Sequence, residues 1–162
     1  MKNIVTPVFV ILVLSLTAFF TSCSGGDEAE STPQNTERSA TYTVNGTQTT
    51  VEKPYNGIFN NNGEINNTVT LTAKDGSKIK FIFIGKTTAT YQLVAYPDAV
   101  YTNPTGQNYN AVRGQLNVTN YKIVDGIYTF SGNFNFVAKN ITNANDSVVV
   151  TTGIITNCSN RL

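Results

Sequence analysis

Any chemistry in this chain of 162 residues is done without histidine, because it has none. That removes the usual general base, the commonest zinc ligand and every Ser–His or Cys–His dyad. Beyond residue 40 the carboxylates are Glu52, Glu64, Asp75, Asp98, Asp125 and Asp146, none close in sequence to another. Asp75 and Asp125 precede glycines, as in turns where the side chain caps its own backbone. Ser77-Lys78-Ile79-Lys80 spells S-x-x-K, but on a strand residues three apart point to opposite faces. Gly85-Lys86-Thr87 copies the tail of a phosphate-binding loop, yet the loop's first glycine would fall at Lys80. Asn60-Asn61-Asn62-Gly63-Glu64 lacks the alternating acidic ligands of a calcium loop. No catalytic residue, metal site or cofactor is therefore expected, and the chain does not read as an enzyme. Residues 96–109 are the best ligand candidate. They gather Tyr96, Asp98, Tyr101, Asn103 and Tyr109, flat rings with hydroxyls beside carboxylate and amide groups. That mixture suits sugar rings, and loops on a rigid β scaffold often carry binding. The same tyrosines would also serve to cover the open end of a β domain.

The elements that position these groups fall into two unlike parts. Residues 4–20 are apolar apart from Thr6, Ser15 and Thr17, and Lys2 precedes them. That is the pattern of a signal peptide; with Pro7 inside it, the run is barely long enough to cross a bilayer. Small Thr21 and Ser22 then lead to Cys23. This ending resembles a bacterial lipobox, whose cysteine receives a diacylglycerol thioether before cleavage, although Phe20 stands where leucine is usual. The resemblance implies a signal peptide over 1–22, lipidation of Cys23 and a membrane as partner through that lipid. Asp27 and Glu28 resemble the surface-export signal of Bacteroidota lipoproteins, which implies the outer membrane and its exterior face; a solvated linker would have the same composition. Residues 23–39 contain almost nothing apolar and cannot offset their ordering entropy, so a flexible tether is expected. The net charge of +1 and the scattered basic residues argue against nucleic acid as a partner. With Cys23 lipidated, Cys158 is left unpaired, and a buried, unreactive thiol is expected there.

Residues 40–162 read as one β domain. Thr41 to Val44 alternates, Asn45-Gly46 supplies a tight turn, and residues 47–52 return. Residues 55–63 read as a loop. Val69, Leu71 and Ala73 alternate with threonines, and Asp75-Gly76 turns the chain into residues 78–84, whose far end, Ile82 and Ile84, is expected to be covered on both faces. Tyr91, Leu93 and Ala95 form the next strand, followed by an irregular loop over 96–109 with two prolines. Val112, Gly114, Leu116 and Val118 resume the alternation. Residues 121–138 form a long hairpin about Asp125-Gly126, with Tyr128, Phe130, Gly132, Phe134, Phe136 and Ala138 on one face. Residues 147–156 are a β-branched terminal strand. The expected fold is all-β, with about eight mostly antiparallel strands in a sandwich or flattened barrel.

Val44-Asn45-Gly46, the strand around Val69 and Leu71, Tyr91-Gln92-Leu93, Gly114-Gln115-Leu116-Asn117-Val118, Phe130-Ser131-Gly132-Asn133-Phe134-Asn135-Phe136 and Thr152-Gly153-Ile154-Ile155 follow one another in that order. In this they resemble a family of small Bacteroidota lipoproteins whose domain is of unknown function. The resemblance implies an all-β domain on a lipid anchor and brings no catalytic residue. It leaves a non-enzymatic surface module for binding or envelope interaction, with an envelope protein or a glycan as partner; the alternative is a glycan-binding protein that uses residues 96–109. Asp146-Ser147-Val148 resembles the acceptor of Bacteroidota O-glycosylation, which makes Ser147 a candidate for modification; the start of a strand would read the same.

Overall fold

The computed structural model describes residues 37–161. The expected signal peptide, the lipidation site Cys23 and most of the tether lie outside the described residues. The domain is all-β, with ten strands: β1 (Ser39–Val44), β2 (Thr47–Glu52), β3 (Tyr55–Asn61), β4 (Glu64–Thr72), β5 (Lys78–Ile84), β6 (Ala89–Gln92), β7 (Ala99–Thr102), β8 (Asn108–Val124), β9 (Ile127–Asn140) and β10 (Ser147–Ser159). Period-two burial drives their formation. In β4, Ile65, Val69 and Leu71 are buried while Thr68 and Thr70 face outward; in β5, Ile79, Phe81 and Phe83 point inward. Asn45-Gly46, Asn62-Gly63 and Asp125-Gly126 each place two residues at positive φ, the backbone that two-residue hairpins require.

The ladder runs from β10 to β9, β8, β7, β5, β4 and β3, and antiparallel pairing holds at each step. A parallel bridge between Tyr55 and Ser159 then brings β3 back to β10. The sheet closes on itself as a flattened barrel. The β1–β2 hairpin adds to the free edge of β10, and β6 lies beside β8 beyond the end of β7. Aromatic rings pack in the interior. Phe81 meets Phe134 edge-on at 4.8 Å between ring centroids, and Phe83 meets Phe130 at 5.5 Å. Gly153 on β10 makes room for Phe134, since a Cβ there would stand 2.5 Å from its ring.

Several expectations need correction. The strand read over Tyr91, Leu93 and Ala95 ends at Gln92, and Val112 sits exposed in the β8 bulge rather than in the inward series. Residues 55–63 are a strand and its turn, not a loop: Asn56 faces in while Tyr55 and Phe59 face out, an inversion that hides the strand from a hydrophobicity pattern. Residues 96–109 contain β7, in which Ala99 and Tyr101 are buried, and so are not one irregular loop. Ile84 is exposed rather than covered, because it stands on the outward face of β5, opposite in sense to the buried Phe83. Arg38 already belongs to the domain, donating to Ser159 Oγ at 3.3 Å and to the Arg161 carbonyl, so the tether stops short of residue 39.

The connections alternate between the two ends of the barrel. The β1–β2, β4–β5, β7–β8 and β9–β10 turns lie at one end. The β3–β4 and β8–β9 turns lie at the other, with the start of the described chain.

Candidate functional site

The structure disperses the tyrosine-rich candidate. Asp98 is a turn residue: its carboxylate accepts the N–H groups of Val94 and Ala95 at 3.2 and 3.1 Å, and its carbonyl accepts that of Ile82. Asn103 closes the β7–β8 hairpin; its Oδ1 accepts from the N–H groups of Thr105 and Gln107, while Nδ2 donates to Gln107 Oε1. Tyr101 and Tyr109 are buried on the same inward face, with ring centroids 5.9 Å apart. The Tyr109 hydroxyl donates to Asp146 at 2.9 Å, and that carboxylate pushes the phenol pKa up. Asn140 Nδ2 donates to the same carboxylate at 3.0 Å, which fixes the β9–β10 loop. Of the five residues only Tyr96, 70 % exposed, is open to a ligand. A stacking platform over 96–109 is therefore not formed, because rings packed in the core cannot stack on a sugar.

Ser147 is exposed at the first position of β10, opposite Lys139. Its hydroxyl is open, whereas Asp146 beside it is engaged by Tyr109 and Asn140.

Cys158 is free and fully buried, and burial pushes its thiol pKa up, so it stays protonated and shielded. Native protein should label with a maleimide ~10³-fold or more slowly than unfolded protein, because the thiol is reached only through opening. Labelling at the unfolded rate under native conditions would mean that β10 does not form this wall.

A buried polar group links three strands. Asn56 Nδ2 and the Tyr121 hydroxyl both donate to Asn67 Oδ1, at 3.0 and 2.8 Å, and Asn67 Nδ2 donates to the Gly85 carbonyl at 2.7 Å. Burial pushes the Tyr121 phenol up to about 12. Asn56 Oδ1 has no partner. Asn56 and Asn67 are fully buried, so the group ties strands together and offers no surface to a ligand.

The outer face of β8, β9 and β10 carries a depression of about 290 Å³. It is built by register. Arg113 stands opposite Val137, which stands opposite Val149; Gly114 stands opposite Phe136, which stands opposite Val150. A bulge lies on each flank, at Ala111/Arg113 in β8 against Ala138 and Val137, and at Val150/Gly153 in β10 against Phe136 and Phe134. Gly114 contributes no side chain and leaves the floor open. Around the floor stand the Arg113 guanidinium, the Asn135 amide and the Thr151 hydroxyl, with Val137 and Val149 as apolar wall. The set can donate and accept hydrogen bonds above an apolar surface, which fits a small polar ligand with one apolar face. A glycine within a strand pattern was the one sequence signal of this place. Comparison of the chain with family models, with curated proteins and with solved structures finds no match.

Proposed function

We propose that this chain is a surface lipoprotein, lipidated at Cys23, whose β domain binds a sugar-like ligand in the depression across β8, β9 and β10. One observation carries the binding site: bulges in β8 and in β10, on either side of β9, flank a concavity lined by Arg113, Asn135 and Thr151. The lipobox-like ending at Cys23 and the polar stretch after it support the tether. Support for binding over catalysis comes from the absence of histidine in the sequence and from the carboxylates of Asp75, Asp98 and Asp146, all engaged in structural hydrogen bonds.

The tether is tested by replacing Cys23 with alanine. Acyl labelling should vanish and an uncleaved precursor should accumulate; normal fatty-acid incorporation would remove the anchor from the reading. For the site, Asn135→Ala should weaken binding on a glycan array about tenfold, the worth of one well-placed hydrogen bond. Its melting temperature should not change, because Asn135 is exposed. A blank array for the wild type, or full binding by the variant, would count against the depression.

A further inference from the structure

We infer that the ligand of the depression is a chain of acidic sugars, its carboxylates held by Arg113 and Lys139 and its further rings laid along the outer side of β9. This rests on the depression binding a sugar, and adds the charge and the length of that sugar. Charge is spread unevenly over the domain. Strands β6, β8, β9 and β10 contain no Asp or Glu, while β8 and β9 carry Arg113, Lys122 and Lys139. The whole chain has a net charge of only +1, so its acids lie on other elements. Arg113 stands opposite Val137, and Lys139 is two residues further along β9 on the same outward face. Such diagonal neighbours are about 7–8 Å apart, near enough for both long side chains to reach one anion. Among the described residues the one ion pair joins Lys74 to Glu52, so neither cation is neutralised. The carboxylate of Asp146, just before β10, is turned instead to Tyr109 and Asn140, both buried. A guanidinium beside an ammonium with no counter-charge is a seat for a carboxylate, which arginine takes up with two parallel hydrogen bonds.

Amides continue the site away from the cations. The next outward rung aligns Gln92, Gln115 and Asn135, and the one after it aligns Thr90, Asn117, Asn133 and Ile154. Side-chain amides donate and accept at once, as sugar hydroxyls do. From Lys139 to Asn133 the strip spans six residues of β9, about 20 Å at the rise of a strand. That is longer than any single sugar ring. The exposed aromatic rings, Tyr55, Phe59 and Tyr96, are on other elements, so the strip has no platform on which nucleic-acid bases could stack.

The test measures binding of the full chain to glucuronate and galacturonate oligomers, to their methyl esters and to polyglutamate. Wild type should hold a hexamer about tenfold or more tighter as the acid than as the ester, the worth of one charged hydrogen bond. Arg113→Gln should erase that preference, whereas Lys80→Gln, which removes the same charge from β5, should keep it. Asn133→Ala should weaken the hexamer several-fold and leave a single uronate unchanged. Arg113 and Asn133 are exposed, so both variants should melt with the wild type. Equal binding of acid and ester would overturn the acidic ligand and leave a neutral sugar in the depression. A hexamer held by Asn133→Ala as well as by wild type would overturn the path along β9. Polyglutamate bound as tightly as the sugar acid would mean a surface that reads charge alone, and would overturn the inference. No binding of any sugar, acid or ester, would remove the depression as a sugar site and its acidic ligand together.

Discussion

Phe134→Ala should lower the unfolding free energy by about 3–5 kcal/mol, the range for removing a buried aromatic ring. Phe134 is 1 % exposed and meets the rings of Phe81, Tyr42 and Phe136, so its removal takes atoms from three strands at once. Collapse around the vacancy is restricted, since closed ladders hold those strands in register. Chemical denaturation of the variant and the wild type measures the difference. A loss below about 1 kcal/mol, the range of surface changes, would mean that β9 presents its other face to the core.

Gly114→Ala should be damaging for a different reason. Gly114 has a φ of +145°, outside the range that side-chain-bearing residues readily adopt. A Cβ there would also run into the Asn135 carbonyl oxygen and the Phe136 Cα, which are backbone atoms of a paired strand and cannot swing aside. Strain and overpacking together amount to about 2–6 kcal/mol. Gly46→Ala is the control: its φ is +87°, yet nothing lies within 4 Å of the added carbon, so only the strain remains. Equal melting temperatures for the two variants would place the β8 bulge elsewhere and with it the depression.

Alternation made much of the fold readable. The inward series from Phe130 to Ala138 and the hairpin turns at Asn45-Gly46 and Asp125-Gly126 stand where period and turn chemistry put them. Strand β3 was hidden because it buries an asparagine and exposes aromatic rings, against the usual sense of the pattern. Strand β7 is four residues long between two prolines, too short for a period to register. The depression was out of reach for another reason. Arg113, Asn135 and Val149 become neighbours only through ladders whose register is shifted by bulges, and a bulge leaves little mark on composition. The tyrosines of 96–109 misled in the opposite way: their chemistry suits a ligand, but their burial depends on strands that are distant in sequence.

Strand β10 pairs with β1, β3 and β9, and it follows all three in the chain. On the ribosome the β1–β2 and β8–β9 hairpins can form as they emerge, from local contacts alone. None of the three can gain its last neighbour until β10 has been made, so their open edges stay available to other chains throughout translation. Closure of the barrel therefore waits on the last strand to be synthesised, and the order of synthesis makes folding of the whole domain a single late step.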